Sequence, residues 1–268
     1  MFDLTNCSFA FLDLETTGLS PWFGDRICEI GIVLTEGKRI RTTYQTLVNP
    51  GRPLSPFAAS THGLTDAELA SAPPFAAVAD EVTAHLRDVV VVCHNAQFDL
   101  QFLDSELHRL GREMQIPNLI DTLWIAQTYF DLPSNTLLSL AEAFHVPMDS
   151  AHRALTDALT DRGVFFNMME ALQPAGGKLD DFIGIYNSPV WPNDNIRLPT
   201  ELSEAIQSRR RLRLVYVDGK GQYTTRWVTP KQVIGLADYL YLQGFCHLRK
   251  AERNFRLDRI VEIGIEPA

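Results

Sequence analysis

The chain has 268 residues, of which 46% are hydrophobic, and a formal net charge of −9. That length can bury one sizeable hydrophobic core and a second, smaller one, so two domains are expected. No apolar run is long enough to cross a bilayer and no secretory leader pattern opens the chain, which argues against a membrane protein. The four cysteines show neither C-x-x-C nor zinc spacing, which argues against a protein built on disulfides. These features favour a cytoplasmic location.

The first predicted element is a mostly apolar strand over residues 9–15, which runs into Thr16, Thr17 and Gly18. Residues two apart on a strand share a face, so the side chains of Asp13 and Glu15 point the same way. Two carboxylates on one face at the end of a strand can bind one pair of metal ions.

A second predicted strand is the β-branched run over residues 89–93. It ends at His94 and Asn95, just before a predicted helix that carries Asp99. In open α/β sheets, ligand-binding groups cluster where strands end, so Asp99 is expected near the end of the first strand.

The third informative segment is a helical pattern over residues 154–172, with His152 just before its start and Asp157 in its first turn. Asp161 lies one helical turn after Asp157 and is an alternative to it as the fourth metal-binding carboxylate. Between the second and third segments, Asp121 is predicted to cap a helix rather than to bind a metal.

These segments together supply four carboxylates and one histidine. Two divalent cations about 4 Å apart can stabilise the attacking and leaving oxygens of a phosphodiester. Mg²⁺, or Mn²⁺ in its place, takes carboxylate oxygens as ligands. A neutral imidazole is a suitable general base for water near neutral pH. The residue types therefore predict a two-metal phosphodiesterase site.

The motifs DLETTG, HNAQFD and HRALTD stand in the order and context of the DEDDh 3′–5′ exonucleases, a family that the chain resembles over residues 9–172. The resemblance implies a ribonuclease H-like α/β fold with a mixed central sheet flanked by helices. By that resemblance the metal ligands are Asp13, Glu15, Asp99 and Asp157, the general base is His152, and the contacts to the terminal nucleotide come from Thr16, Leu19, His94, Asn95 and Phe98.

The family resemblance also implies a reaction. Two divalent ions, Mg²⁺ or Mn²⁺, assist removal of nucleoside 5′-monophosphates from the 3′ end of single-stranded nucleic acid, with DNA expected over RNA. Two alternatives stay open. One is a nucleic-acid-responsive binding or regulatory module, and the other is a proofreading subunit that acts with a polymerase or a repair partner.

A domain boundary is predicted where the helical pattern ends in a Pro- and Gly-containing stretch over residues 173–177. The predicted division is a catalytic domain over residues 1–173, a linker over 174–199 and a C-terminal domain over 200–268. Charge changes at the same place: residues 1–175 hold 10 basic and 22 acidic side chains, whereas residues 176–268 hold 14 and 11. The C-terminal part could therefore attract a nucleic-acid backbone that the acidic part does not.

After a short predicted helix over residues 201–208, the pattern alternates as in strands and includes a hairpin signal at residues 212–227. A small β-barrel is expected. This part resembles the WYL domain, a small SH3-like barrel associated with nucleic-acid or nucleotide ligands. Residues 227–230, the core run at 240–242 and the segment 249–259 carry the resemblance.

A basic cluster in this C-terminal part is the second predicted site. Arginines at alternate strand positions can face one way and bind phosphate bidentately. The alternative is a solvated charged face without a ligand. The candidate residues for a strand or a nucleotide ligand are Arg249, Lys250, Arg253, Arg256 and Arg259.

Overall fold

A computed structural model describes residues 4, 7–18, 21, 24–148, 152–172, 178–186, 200–217, 223–236, 239–257 and 260–266. Two of the predicted site residues, Leu19 and Arg259, lie outside this part of the chain, as does most of the predicted linker. The described residues form two compact units. The first comprises residues within 4–17 and 26–186, and the second comprises residues within 18–25 and 200–266.

The first unit is built on a five-stranded mixed sheet with the strand order β3-β2-β1-β4-β5. The pairs β1–β2 and β2–β3 are antiparallel, whereas β1–β4 and β4–β5 are parallel. This sheet confirms the predicted α/β class. Its strands are β1 (Ser8–Thr16), β2 (Ile27–Glu36), β3 (Arg39–Leu47), β4 (Val90–Cys93) and β5 (Leu119–Asp121).

Helices cover both faces of this sheet, and each face has its own hydrophobic core. One core joins the sheet to α3 and α4, and the other joins it to α5, α6 and α7. Among the described helices, none is long and apolar enough to span a membrane. The helices are α1 (Pro56–His62), α2 (Asp66–Ala70), α3 (Phe75–His85), α4 (Ala96–Arg109), α5 (Thr122–Tyr129), α6 (Leu137–Ala143) and α7 (Ala154–Leu172).

The central strand β1 directs its alternate side chains to the two cores. Phe9 and Phe11 face α7, and their rings lie 5.3 and 5.7 Å from the ring of Phe165. The period of two continues to Asp13 and Glu15, which therefore lie on the face that α7 covers. This packing is why a carboxylate from the first turn of α7 meets the carboxylates of β1.

The described part of the predicted linker, residues 178–186, packs on the first unit. A 3₁₀ turn, Leu179–Phe182, buries the ring of Phe182 in the α7-side core. Gly184 then exchanges backbone hydrogen bonds of 2.7 and 3.2 Å with Leu119 on the edge strand β5. These nine residues thus continue the first unit beyond α7.

The second unit is a five-stranded antiparallel sheet with one helix packed on it. Strand order is β10-β6-β7-β8-β9, and the predicted β6–β7 hairpin is confirmed. Leu202 and Ala205 of the helix are fully buried against the sheet. The elements are α8 (Thr200–Ser208), β6 (Leu212–Val217), β7 (Tyr223–Leu236), β8 (Tyr239–Cys246), β9 (Ala251–Arg256) and β10 (Ile260–Ile265).

The predicted barrel is not closed. Within the described residues, the outer strands β9 and β10 each pair on one side only, so the sheet is open. Closure depends on the tilt and stagger of all strands together, which a local alternation pattern does not specify. Strand β7 continues past Pro230, with a register shift between Pro230 and Gln232.

Candidate active site

Three carboxylates meet between β1 and the start of α7. Carboxylate oxygens of Asp13, Glu15 and Asp157 all lie within 4.8 Å of one another. Asp13 and Glu15 come from the end of β1, and Asp157 comes from the first turn of α7. The structure thus brings together acidic residues that are about 140 positions apart in the sequence.

Asp99 approaches from the first turn of α4 and is only 3% exposed. Its Oδ1 accepts a 3.0 Å hydrogen bond from the backbone N–H of Leu14, the residue between the two acidic residues of β1. The negative charge of Asp99 raises the pKa of Asp13, after the larger effect of burial. The fourth predicted ligand therefore lies near the group of three, although its carboxylate is not among those within 4.8 Å of one another.

The cluster is electrostatically strained in the absence of cations. Burial raises the pKa of Asp13 well above its ordinary value, and the nearby carboxylates Asp99 and Asp157 raise it further. Burial, followed by the charge of Asp157, raises the pKa of Glu15 to about 8. Like charges this close oppose each other's ionisation unless a positive charge compensates them.

The Asp157 carboxylate has one satisfied and one unsatisfied oxygen. Oδ2 accepts a 3.0 Å hydrogen bond from the backbone N–H of His152, whereas Oδ1 is buried and has no hydrogen-bond partner among the described residues. A buried carboxylate oxygen normally has a partner. The unsatisfied oxygen beside Asp13 and Glu15 therefore fits a metal ligand.

The rival carboxylate Asp161 also has one bonded and one unsatisfied oxygen, since its Oδ2 is buried and has no hydrogen-bond partner among the described residues. Its Oδ1 accepts a 2.5 Å hydrogen bond from the Thr122 hydroxyl, and Asp161 is not part of the group of carboxylates within 4.8 Å. Burial raises the pKa of Asp161 to about 7. The geometry favours Asp157 over Asp161 as the ligand from α7.

The predicted general base, His152, lies immediately before α7 with an exposed side chain and a left-handed φ of 63°. The hydrogen bond from its backbone N–H to Asp157 fixes this residue at the rim of the acidic cluster. An exposed imidazole at that rim is accessible to water and to a substrate.

Four of the five residues predicted to contact the terminal nucleotide lie at the end of β1 or at the start of α4. Thr16 is 6% exposed, and Asn95 is exposed with a left-handed φ of 68°. His94 Nδ1 lies 3.1 Å from the Thr122 hydroxyl, and Phe98 is partly buried, with its ring 5.1 Å from that of Phe102. The fifth residue, Leu19, is outside the described residues.

Asp121 caps α5, as predicted, through the backbone N–H groups of Leu123 and Trp124 at 2.9 and 3.3 Å. The same carboxylate also accepts hydrogen bonds of 3.1 Å from the N–H groups of Asn95 and Ala96 at the start of α4. One side chain thus joins the starts of two helices that border the site.

Sequence reasoning missed Glu29, which is fully buried on β2 and accepts hydrogen bonds from Arg153 and Gln45. Its cross-strand partner in the sheet is Glu15. The signal was present, because a glutamate in the otherwise apolar run ICEIGIV needs a buried partner. The identity of that partner depends on the packing of α7 and is not encoded locally.

The basic residues of the second unit do not share one face of a strand in the way that the sequence predicted. Arg249 and Lys250 are exposed in the turn between β8 and β9. Arg253 and Arg256 are three positions apart on β9, so their side chains leave opposite faces of the strand. These two residues therefore do not form the one-sided arrangement expected from alternate positions, and Arg259 lies outside the described residues.

Comparison with known families gives two matches along the chain. A family model described as Exonuclease, RNase_T, matches residues 10–165, and a model described as WYL domain matches residues 198–265. The first match alone covers more than half of the chain. Both fall on the segments whose motifs carried the two resemblances.

Two curated relatives each match a little under two thirds of this chain. The DNA polymerase III PolC-type of Caldanaerobacter subterraneus is 37% identical over 171 residues, which are 63% of this chain and 12% of that protein. The 3′-5′ exonuclease DinG of Bacillus subtilis is 32% identical over 166 residues, 62% of this chain and 18% of that protein. The chain therefore spans less than a fifth of each of these relatives.

A solved structure with a similar fold is the nuclease domain of 3′hExo, a DEDDh family member, bound to rAMP. It superposes with a TM-score of 0.56 at 18% identity and covers 64% of this chain and 95% of that one. At this identity the likeness concerns the fold alone. The mixed sheet and its helices thus have the arrangement of a known nuclease domain.

Proposed function

The chain belongs to the exonuclease family whose model its residues 10–165 match, and we propose that it is a metal-dependent 3′–5′ exonuclease acting on single-stranded nucleic acid. Its products are nucleoside 5′-monophosphates. The observation that carries this proposal is the convergence of Asp13, Glu15 and Asp157 within 4.8 Å around a buried, unsatisfied carboxylate oxygen.

Four carboxylates would hold two divalent ions, Mg²⁺ or Mn²⁺. The closest group, Asp13, Glu15 and Asp157, provides oxygens from two elements, and Asp99, which accepts a hydrogen bond from the Leu14 N–H, would add a ligand from a third element, α4. When bound, such ions supply positive charge for the attacking and leaving oxygens of the phosphodiester. The raised pKa values of Asp13 and Glu15 support a site built for cations.

His152 takes the proton of the attacking water in this proposal. Its imidazole is exposed at the rim of the cluster, and its backbone is tied to Asp157 by the 3.0 Å hydrogen bond. That tie keeps the base next to a metal ligand, which matters because a general base must lie within hydrogen-bond reach of the proton it removes.

Thr16, His94, Asn95 and Phe98 would bind the terminal nucleotide, together with Leu19. Half-buried His94 and Phe98 offer ring faces beside the start of α4, and a nucleobase can stack on such rings. We place DNA before RNA as the substrate, since one of the relatives is a DNA polymerase. The WYL-like unit would add affinity for the strand or bind a nucleotide.

One experiment tests the proposal directly. The protein is incubated with 5′-labelled single-stranded DNA and RNA of the same sequence, with Mg²⁺, Mn²⁺ or a chelator, and the products are resolved at single-nucleotide resolution. Stepwise shortening of the 5′-labelled strand that stops with chelator is expected. Full-length substrate after prolonged incubation with either metal would contradict the proposal.

A polymerase-associated proofreading role is the second candidate, favoured by the relative named DNA polymerase III PolC-type. In that role the exonuclease acts on ends delivered by a partner. The two candidates differ in activity on free oligonucleotides with paired and mismatched 3′ ends. A strong preference for mismatched ends that needs added polymerase would support the proofreading role.

A further inference from the structure

Strand β2 contacts the first turn of α7 unusually closely. At Gly31 a Cβ atom would lie 2.3 Å from the carbonyl carbon of Ala154, a distance that no side chain tolerates. Glycine at this position therefore lets the helix start rest directly on the strand. In the β1–β2 pair, Gly31 lies opposite Asp13, and Glu29 lies opposite Glu15.

Glu29 holds this helix start through its carboxylate. Arg153 donates from Nε to Oε2 at 3.0 Å and from Nη2 to Oε1 at 2.7 Å, and the backbone N–H of Ala154 donates to Oε2 at 3.2 Å. Gln45 of β3 completes the set at 2.8 Å. A bidentate pair of this kind fixes both distance and orientation.

Both of the groups that α7 contributes to the site depend on this turn. His152 directly precedes Arg153, and the Asp157 backbone N–H donates to the Arg153 carbonyl at 3.0 Å. His152 in turn donates its own backbone N–H to the Asp157 carboxylate. A shift of Arg153 away from Glu29 would therefore move the base and the ligand together.

We propose that Glu29 is a positioning residue, which holds Asp157 and His152 in register with Asp13 and Glu15 by binding the first turn of α7. The inference rests on the proposed function. The pair could instead serve stability only, but the Glu29 side chain is fully buried while that of Arg153 is 41% exposed, and burying the carboxylate carries a desolvation cost that offsets much of the gain. Partners that orient metal ligands typically change activity or metal affinity by about 10- to 100-fold when they are removed.

The test compares Glu29→Gln and Glu29→Asp with a matched control. Glu106→Gln breaks another Arg–Glu pair with a buried glutamate in the same unit; Arg26 makes this pair at 2.5 and 2.7 Å, and its two residues lie on α4 and just before β2 rather than on α7. Two readouts are measured for each variant: Mn²⁺ binding by calorimetry, and kcat and KM on thymidine 5′-(4-nitrophenyl phosphate), a small phosphodiester substrate.

For Glu29→Gln we expect Mn²⁺ affinity and kcat to fall by about tenfold or more with KM changed less than about twofold. Glu29→Asp keeps the charge on a shorter side chain, so its Mn²⁺ affinity and kcat should lie between those of Glu29→Gln and wild type. Glu106→Gln should leave Mn²⁺ affinity and kcat at the wild-type values, even where it lowers the melting temperature as much as Glu29→Gln does. The double variant Glu29→Gln/Arg153→Gln should have nearly the same Mn²⁺ affinity and kcat as Glu29→Gln alone, because the two residues act as a unit.

The proposal is overturned if Glu29→Gln leaves both Mn²⁺ affinity and kcat within twofold of wild type, or if Glu106→Gln lowers them equally. If Glu29→Gln does not fold, Glu29→Asp decides by the same two readouts. A wild-type protein that binds Mn²⁺ but does not cleave the ester contradicts the proposed function instead, and the Mn²⁺ affinities still test the positioning role.

Discussion

Glu29 and Glu15 are cross-strand neighbours on β2 and β1, yet their pKa values shift in opposite directions. Burial would raise the pKa of Glu29, but hydrogen bonds from Arg153, Gln45 and the Ala154 N–H outweigh it and lower the pKa. Glu15 lacks such an arrangement, and burial with the charge of Asp157 raises its pKa to about 8. One glutamate is therefore held as an anion by the protein, whereas the other needs an added cation.

The first prediction concerns the pH dependence of stability without metal. The folded-state pKa of Glu15 is about 8, above the ordinary value of 4.5. Between these pH values the folded state binds more protons than the unfolded state, so stability falls as pH rises. Chemical denaturation in chelator at a series of pH values should show a free energy of unfolding that decreases from pH 5 to pH 8.

The control for this prediction is a divalent cation. Mg²⁺ or Mn²⁺ binds the ionised cluster, so it should restore stability at pH 8 more than at pH 5. Glu15→Gln should flatten the slope in chelator, because the substituted group no longer titrates. A slope of opposite sign in wild type would mean that Glu15 is not held protonated in the metal-free fold.

The second prediction separates the two carboxylates of α7. Asp157→Asn should abolish hydrolysis, as should Asp13→Ala, because each change removes an oxygen ligand from the group within 4.8 Å. Asp161→Asn should keep activity within severalfold, since the Asp161 carboxylate is bonded to Thr122 and lies outside that group. Initial rates on labelled single-stranded DNA measure all three variants.

Circular dichroism spectra equal to wild type are the control for folding in this series. The reverse result, an active Asp157→Asn and an inactive Asp161→Asn, would assign the ligand role to Asp161. Full activity in Asp13→Ala would contradict the metal site as a whole.

Most residues of the proposed metal site could be named from the sequence because each belongs to a short local pattern. Asp13 and Glu15 share a strand face, and His152 and Asp157 share the start of a helix, so a single motif places each pair. Glu29 was not predicted to belong to the site, because its partner Arg153 is 124 positions away and contacts it only through the packing of α7 on β2. The open sheet of the second unit was not predicted for a similar reason: open and closed β-sheets differ in which distant strands pair, not in the local alternation of the sequence.

The third prediction concerns His152. Its replacement by Ala should lower kcat by about 100-fold or more, because a positioned general base contributes roughly 10²- to 10⁴-fold. Mn²⁺ affinity should change little, since the bond to Asp157 comes from the backbone of this residue, not from its imidazole. Parallel measurement of kcat and metal binding tests both statements.

His152→Gln serves as the comparison, because it keeps a polar side chain that cannot accept the proton in the same way. If the imidazole is the base, both variants should lose kcat to a similar extent. An unchanged kcat in His152→Ala would assign the residue to structure and leave the base unidentified.

The last prediction tests the second unit's basic residues one at a time. Arg253 and Arg256 leave opposite faces of β9, so a strand bound on one face should contact only one of them. Arg253→Gln and Arg256→Gln should therefore differ in their effect on binding of single-stranded DNA by the full chain in chelator, measured by fluorescence anisotropy at several salt concentrations. The variant that removes a phosphate contact should lower the salt slope by about 0.7, since each neutralised phosphate of a single strand releases that fraction of a counterion. The other should bind as wild type. Equal slopes for both variants and wild type would identify this surface as a solvated charged face without a nucleic-acid ligand.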